Sequence, residues 1–259
     1  MTPRLEPAAI RRNLQGGFGR QLAVYDRLPS TNDTAKLLAR CGAPQGTAVL
    51  ARGQTAGRGR QGRAFFSPPG AGLYLTVVVR PTAPQLELLT AAAAVAAAAA
   101  VEDACGLSVQ IKWVNDLYRR GKKLCGILTE AALGPDAAPD YAVVGIGVNL
   151  LDAGFPPELA GRATSLAQEG APCDPNRLAA ALLDRLEWVC AQRPEVFLEE
   201  YRARSCVLGR RVTVQPGAGG GYEAVARQID SRARLVVETP DGRLHTLCAG
   251  EVRLAGEWG

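Results

Sequence analysis

Residues 53–81 read GQTAGRGRQGRAFFSPPGAGLYLTVVVRP, so that a loop rich in glycine and arginine runs into an apolar segment. Residues 72–81 are rich in β-branched side chains, which predicts a strand. In the loop, Arg58, Arg60 and Arg63 are interleaved with glycines. Glycine lets backbone N–H groups come close to a ligand, and arginine offers planar pairs of donors to carboxylate or phosphate. The stretch therefore predicts an anion-binding loop in front of a core strand.

The chain around this loop is cationic. No acid occurs between Asp33 and Glu87, and the bases in that interval are Lys36, Arg40, Arg52, Arg58, Arg60, Arg63 and Arg80. A solvated basic surface is one interpretation, but the interleaved glycines favour a ligand site. Because like charges repel and glycine loses much entropy when it is fixed, we expect the loop to be mobile until an anion orders it.

The loop belongs to neither standard nucleotide-binding motif. Residues 57–62 formally match GxGxxG, but that fingerprint needs a helix directly after it and an acid about 20 residues on. Here Pro68 and Pro69 follow, and Glu87 lies in another predicted helix. The Walker A ending GK[ST] does not occur in the sequence.

Composition narrows the class of protein. The 259 residues carry a net charge of +5, which is compatible with anionic ligands but too weak to indicate nucleic acid. Seven cysteines without close spacing fit a reducing cytosol, and a single histidine, His245, excludes a His-based metal site. The apolar run 88–101 is mostly alanine and too short to span a bilayer. We expect a soluble, cytoplasmic protein.

The pattern of the whole chain predicts an α+β fold. Strands are predicted at 21–28, 47–53, 72–81, 109–114, 123–131 and 141–150, and helices after an N-cap at Ser30, at 84–105 and at 175–204 with a break near Pro194. The last 50 or so residues read as short strands with Gly-rich turns, including a PDG hairpin at 240–242. We predict a catalytic domain, residues 1–207, with a mixed sheet flanked by helices, and a small β-barrel domain, residues 208–259.

A second group of polar residues lies in IKWVNDLYRRGKKLCGILTE, residues 111–130. One interpretation is a hairpin whose Asn115 and Asp116 are turn residues and whose lysines are solvated. In the other, Lys112 and Lys123 point into one cleft together with Asp116, where they offset charge that develops in a reaction. The residues alone leave both interpretations open.

Taken together, these segments resemble the biotin–protein ligases, in the order and spacing of that family. The matching segments are STN at 30–32, the stretch 53–81, KWVNDLY at 112–118, KKLCGILTE at 122–130, GIGVNL at 145–150 and GEVRL at 250–254. The resemblance covers about residues 22–254. It implies a catalytic domain like those of class II synthetases and lipoate ligases, followed by an SH3-like barrel.

The resemblance also implies an activity. ATP with Mg²⁺ would activate biotin to biotinyl-5′-AMP, and biotin would pass to one lysine of a biotin carboxyl carrier domain. The alternatives are a lipoate or octanoate ligase of the same fold and a nucleic-acid-binding module that uses the RGR loop. Since the chain starts at the catalytic domain, without the helix-turn-helix of repressor members, we expect no sequence-specific DNA binding. No membrane association is expected, and a homodimer is compatible with the sequence.

Site residues follow from the resemblance, position by position. The implied biotin-binding residues are Ser30, Thr31, Asn32, Gln54, Arg58, Gly59, Arg60, Lys123 and Gly126. The implied ATP-binding residues are Arg58, Arg60, Arg63, Phe65, Lys112, Asn115 and Asn149. The implied catalytic residues are Arg60, Lys123 and Asp116, with Asp116 orienting or deprotonating the incoming lysine. Val114 replaces the usual proline, which predicts a looser turn, and Phe65 replaces the usual tryptophan, which predicts weaker stacking.

Overall fold

A seven-stranded mixed sheet forms the centre of the protein. The computed structural model describes residues 4–134, 136–152, 154–215 and 220–254, so parts of the predicted domain 208–259 lie outside the described residues. The sheet has the order β1-β2-β3-β7-β6-β5-β4, with β1 parallel to β2 and every other neighbour antiparallel. Its strands are β1 Leu22–Tyr25, β2 Ala48–Ala51, β3 Gly72–Val79, β4 Gln110–Lys112, β5 Asp116–Arg119, β6 Lys122–Leu133 and β7 Pro139–Asn149.

Helices cover both faces of this sheet. They are α1 Pro7–Asn13, α2 Thr31–Arg40, α3 Ala83–Cys105, α4 Pro175–Cys190 and α5 Pro194–Ala203. On one face α2 packs on β2, β3 and β7 and closes a small core that includes Ala35 and Tyr141. On the other face α3 packs on β6 and β7 and is itself covered by α4 and α5. The result is the mixed sheet flanked by helices that the sequence predicts.

The alanine-rich segment forms α3, the longest helix described. Thr82 and Gln85 form a capping box at its start, and Gly106 ends it with a φ of 65°, a left-handed conformation that suits glycine. By length and composition alone α3 could cross a membrane, but most of its side chains are buried against the sheet, α4 and α5. Its small side chains let these neighbours approach closely, as in the core helix of a soluble protein.

Residues 111–130 differ from the prediction of two strands joined by one turn. The structure has three antiparallel strands here, because β5 begins at Asp116 and a second turn follows at Arg120–Gly121. The first turn contains Trp113, whose indole Nε1 donates to Ala233 O at 2.9 Å, and Val114, whose carbonyl accepts from Tyr201 Oη at 3.0 Å. The peptide bond between Trp113 and Val114 is cis. The two hydrogen bonds of Trp113 and Val114 hold this turn, for which the replacement of proline by Val114 predicted a looser structure.

A second, antiparallel sheet follows α5. It has the order β11-β10-β9-β8-β12, with β8 Arg211–Gln215, β9 Tyr222–Ile229, β10 Leu235–Glu238, β11 Leu244–Leu247 and β12 Glu251–Leu254. The predicted strands and the hairpin at 240–242 are confirmed. Within the described residues β11 does not pair with β12, so the sheet is open and the closed SH3-like barrel stays a prediction. Side chains such as Val212 and Leu235 join the core cluster of α3 and the main sheet.

Close packing of α3 gives a first prediction. Ala98 is fully buried, so Ala98→Leu adds three carbons where no space exists. We expect a loss of about 1–3 kcal/mol in the free energy of unfolding, measured by urea denaturation. Ala99→Leu in the same helix is the matched control, because Ala99 is partly exposed. Equal stability of the two variants would contradict this packing.

Candidate functional site

One cleft of about 1060 Å³ lies between the end of the main sheet, the arginine loop and β12. Every residue that the sequence assigns to a site lines this cleft. These residues are Ser30, Thr31, Asn32, Gln54, Arg58, Gly59, Arg60, Arg63, Phe65, Lys112, Asn115, Asp116, Lys123, Gly126 and Asn149. Segments far apart in the chain therefore meet in one place, which favours the ligand-site interpretation of residues 111–130 over a solvated hairpin.

Buried polar side chains form one end of the cleft, at the start of α2. Gln54 Oε1 accepts hydrogen bonds from Thr31 N at 2.8 Å and from Thr31 Oγ1 at 3.1 Å, and Gln54 Nε2 donates to Ser67 Oγ at 2.9 Å. The Thr76 hydroxyl, on β3, donates to Asn32 Oδ1 at 2.7 Å. Because these groups are satisfied by each other, their positions are fixed before any ligand arrives.

Glycines on two neighbouring strands make the floor of the cleft. Gly126 on β6 pairs with Gly147 on β7, and the Phe65 ring lies across both. A Cβ added to Gly147 would lie 2.5 Å from Phe65 Cε1, and one added to Gly126 would lie 2.9 Å from Phe65 Cε2. At Gly145 an added Cβ would collide with Asn32 Oδ1. Side chains at these three positions would displace the Phe65 ring and Asn32, so the positions need glycine. We call the strip of backbone at Gly126, Gly145 and Gly147 the glycine trough.

The arginine loop is a small hairpin. Gly59 N donates to Arg63 O at 2.7 Å, and Phe65 N donates to Gly57 O at 2.9 Å. Its tip is a 3₁₀ turn at residues 60–62, where Gln61 and Gly62 have φ values of 55° and 73°. The glycines thus serve the tight geometry of the hairpin itself.

Acids from other parts of the chain neutralise two of the three loop arginines. Arg58 pairs with Asp33 on α2 at 2.6 Å and with Glu130 on β6 at 3.2 Å. Arg63 pairs with Glu251 on β12 at 2.5 Å. The neighbouring guanidinium holds the pKa of Glu251 below its usual range. The local sequence shows none of this compensation, since no acid lies within the loop.

Arg60 is held differently. Its Nη1 donates to Asn115 Oδ1 at 2.8 Å and its Nη2 donates to Gly250 O at 2.9 Å. Asn115 is itself fixed, because its Nδ2 donates to Ile127 O at 2.7 Å. Among the residues that the structure describes, Arg60 forms no ion pair, so its positive charge stays uncompensated in the cleft.

Two lysines and a carboxylate lie beside Arg60. Lys123 Nζ is 2.8 Å from Asp116 Oδ1, and Lys112 Nζ is 3.4 Å from Tyr118 Oη. Burial lowers the pKa of Lys112, although Asp116 opposes this shift. The cleft is therefore cationic where Arg60 and the two lysines converge, and polar but neutral at the α2 end.

Several residues that line or support the cleft were not found from the sequence. Thr76 lies in a run of β-branched residues that predicts a strand and nothing more. Glu130 and Glu251 lie inside quoted motifs but their pairing with the loop depends on the fold. The alternating glycines of GIGVNL, Gly145 and Gly147, were the available signal for a trough, since glycine inside a strand marks close approach of another group. Asn149, which was predicted, donates from Nδ2 to Thr164 O at 2.9 Å.

The cleft combines a neutral polar end, glycines on two neighbouring strands and a cationic end, features that suit an elongated ligand with a polar head and an anionic tail. A profile described as "Biotin/lipoate A/B protein ligase family" matches residues 24–149. The biotin--[acetyl-CoA-carboxylase] ligase of Mycobacterium tuberculosis is 36% identical over 268 residues, which cover 97% of this chain and 96% of that protein. The chain belongs to the biotin/lipoate A/B protein ligase family.

Other proteins are similar to part of this chain in sequence or to most of it in structure. The bifunctional ligase/repressor BirA of Bacillus subtilis is 43% identical over 154 residues, and this match spans 47% of its length and 58% of the chain. Biotin protein ligase from Aquifex aeolicus, in complex with biotin and ATP, has 26% identity and a TM-score of 0.75, over 91% of this chain and 98% of that chain. Biotin protein ligase from Leishmania major, in complex with biotinyl-5-AMP, has 28% identity and a TM-score of 0.62, over 89% and 99%.

The buried amine of Lys112 generates a second prediction. Burial lowers its pKa in the fold, so between this lowered pKa and the ordinary value of 10.5 the unfolded state binds more protons, and wild-type stability rises with pH in that window. Lys112→Met removes this cost. We expect its Tm at pH 7 to be higher than that of the wild type.

The gain should shrink as pH rises from the lowered pKa through 10.5, because well above that value the wild-type amine is neutral in both states. Differential scanning fluorimetry between pH 7 and pH 10 measures it. Lys122→Met, at an exposed lysine of the same hairpin, is the control and should show no gain. A gain that is constant or grows with pH would show that the buried charge is not the cause.

Proposed function

We propose that this protein is a biotin–protein ligase. It activates biotin with Mg-ATP to biotinyl-5′-AMP, and it then transfers biotin to a specific lysine of a biotin carboxyl carrier domain. The observation that carries the proposal is the single cleft in which all the residues implied for biotin, for ATP and for catalysis come together. The names of the relatives support biotin over lipoate or octanoate as the acyl group.

Biotin lies with its ureido ring at the polar end. Ser30, Thr31, Asn32 and Gln54 offer hydroxyl and amide groups there, and a ureido ring both donates and accepts hydrogen bonds. The apolar chain passes beside Gly126 and the Phe65 ring, which lies against that glycine. Its carboxylate then points towards the cationic end of the cleft.

Adenylation joins two anions, and the cationic end makes this possible. A carboxylate oxygen of biotin attacks the α-phosphorus, the bond to the bridging oxygen breaks, and pyrophosphate leaves with the electron pair. Arg60 and Lys123 contact both the carboxylate and the α-phosphate and offset the charge that develops. Arg58, Gly59 and Arg63 extend this contact surface along the loop, and closure of the cleft keeps water from the mixed anhydride.

The nucleotide occupies the remaining part of the cleft. Lys112, Asn115 and Asn149 lie on its walls, and Phe65 offers a ring near the glycine floor, where it packs edge to face with Tyr74 at a centroid distance of 6.4 Å. These residues are proposed to bind ATP. The carrier domain approaches from the open side once the nucleotide is in place.

Transfer needs a neutral amine. The carrier lysine attacks the acyl carbon, the bond to AMP breaks, and one proton leaves the nitrogen. Asp116 is proposed to orient this amine or to accept its proton. Its ion pair with Lys123 keeps the carboxylate at the junction between the acyl group and the phosphate.

The donor set of the cleft fits Mg²⁺ that arrives with ATP. Mg²⁺ is usually held by substrate phosphates, waters and one or two carboxylates. Asp116 supplies the carboxylate of the cationic end, and its Oδ1 is paired with Lys123 Nζ at 2.8 Å, so Mg²⁺ would share or displace that ion pair when it arrives with the nucleotide. When bound, Mg²⁺ would neutralise charge on the departing pyrophosphate. The described residues contain no cluster of three His, Cys, Asp or Glu side chains that could hold a metal without a nucleotide.

We also propose a partner, a location and a domain arrangement for the enzyme. The carrier domain belongs to a biotin-dependent carboxylase, which the names of two relatives support. The reaction takes place in the cytoplasm, where ATP and the carboxylase are found. The second sheet completes the architecture as an SH3-like domain, and a homodimer is compatible with this arrangement.

One assay tests the function. The protein is incubated with ATP, Mg²⁺ and either biotin, lipoate or octanoate, and pyrophosphate is measured before a carrier domain is added. A biotin ligase gives pyrophosphate release that depends on biotin, and then a labelled carrier. Release that depends only on lipoate or octanoate would identify the other ligase of this fold. No release, with binding of RNA or DNA, would support the nucleic-acid alternative.

Two substitutions test the assigned roles. Arg60→Ala and Lys123→Ala each remove charge-assisted contacts worth roughly 1.5–3 kcal/mol, so each should slow pyrophosphate release by about tenfold or more. Circular dichroism should show unchanged folding, since both side chains lie in the cleft. Arg227→Ala is the control, because its ion pair with Glu238 lies on the second sheet away from the cleft. Wild-type rates in either variant would remove that residue from the mechanism.

A further inference from the structure

The two arms of the arginine loop are each tied to a carboxylate of another element. The first arm carries Arg58 and the second carries Arg63, with the tip at residues 60–62 between them. Glu130 on β6 holds the first arm and Glu251 on β12 holds the second. Neither acid has a role in the chemistry proposed above, and both side chains are only 22% exposed.

The carboxylate of Glu130 contacts donors on α2 and on the arginine loop. Its Oε1 lies 3.0 Å from Lys36 Nζ and 3.2 Å from Arg58 Nη2, and its Oε2 accepts from Asn32 Nδ2 at 2.8 Å. Asp33 pairs with both bases, at 2.9 Å and 2.6 Å. Two acids and two bases therefore form a compact neutral cluster. It fixes the first arm of the loop to the same helix turn that presents Asn32 to the polar end of the cleft.

Glu251 fixes the second arm to the other sheet. Its Oε2 accepts from Arg63 Nη2 at 2.5 Å, and its Oε1 lies 3.6 Å from Arg253. The neighbouring carbonyl, Gly250 O, accepts from Arg60. The start of β12 thus touches both the second arm and the tip of the loop.

From this pattern we propose that Glu130 and Glu251 are positioning residues, which anchor the two arms of the loop by ion pairs and leave Arg60 as the loop arginine that meets the anionic ligand. Arg58 and Arg63 then act as anchor points, and this role replaces the ligand contacts that the resemblance implies and that the adenylation step assigns to them. The identity of the anion rests on the proposed function, but the anchoring does not. We expect the anchors to hold the loop before any anion binds, whereas the sequence alone predicts a loop that is mobile until then.

The anchors are weak. Arg58 and Arg63 have side chains that are 45% and 60% exposed, and ion pairs of this kind contribute little each because solvent screens them. A loop held in this way stays near its closed position and still opens for substrate and product. Loss of one anchor should therefore change opening of the loop by about two- to fivefold.

Hydrogen exchange in the ligand-free protein tests the anchoring. The amides of Gly59, Arg63 and Phe65 are hydrogen-bonded inside the hairpin and report its opening. In Glu251→Gln the exchange of the peptide covering residues 57–66 should be about two- to fivefold faster than in the wild type. Glu238→Gln removes the partner of Arg227 on the same sheet and should leave this peptide unchanged. No acceleration in Glu251→Gln would overturn the anchor.

A charge-swap cycle tests the role of Arg63. Wild type, Arg63→Glu, Glu251→Arg and the double variant are compared by the KM for ATP and kcat of biotin-dependent pyrophosphate release. If Arg63 is an anchor, the double variant should recover about two- to fivefold over Arg63→Glu in kcat/KM, the change expected for one anchor. If Arg63 binds phosphate, a carboxylate at position 63 repels ATP in the double variant as well, and no recovery occurs. The new charge beside Arg253 is present in both Glu251→Arg variants, so the cycle cancels its effect.

The two readouts separate two kinds of failure. Faster exchange in Glu251→Gln without any biotin-dependent pyrophosphate release in the wild type would support the anchor and refute the proposed function. Normal wild-type release with unchanged exchange and no recovery in the double variant would support the function and refute the anchor.

Discussion

The cleft depends on how Arg60 is held, because two hydrogen bonds fix its guanidinium and leave its positive charge available. Two anions react only where positive charge is available, and a folded protein tends to pair its arginines with acids. Here the two acceptors of Arg60 are neutral oxygens, Asn115 Oδ1 and Gly250 O. They fix the direction of the guanidinium without cancelling its charge. A carboxylate at either place would fix it equally well and leave less positive charge for the ligand.

The main sheet provides the second requirement of the cleft, which is room beside the backbone of β6 and β7. Strands β6 and β7 pair with Gly126 opposite Gly147, so two positions without side chains lie next to each other. Gly145 leaves room for Asn32, whose amide is held by Thr76 on one side and by Glu130 on the other. The polar end and the trough therefore depend on the same two strands. Their register, fixed by the core on the opposite face, sets both.

Local sequence signals predict the elements well but not their contacts. The capping residues and alanines of α3, the Ser30 N-cap and the β-branched strands each act over a few residues, so their positions follow from the sequence. Strand β5 was missed because four residues between two turns carry too little pattern. The partners of the loop arginines were missed for another reason: Arg63 and Glu251 are 188 residues apart, and only the fold brings them together. The roles of the site residues came from the family resemblance.

The second sheet is part of the cleft and not an appendage to it. Its β12 contacts the loop, and its turn at Ala233 accepts the indole N–H of Trp113, which lies in the same turn as Asn115. Both groups that orient Arg60 are thus supported from this sheet, one through Gly250 and the other through Trp113. The position of Arg60 therefore responds to how the second sheet packs on the first. A shift between the sheets would move the uncompensated charge relative to Gly126 and Gly147, and with it the point where carboxylate and phosphate meet in the proposed reaction.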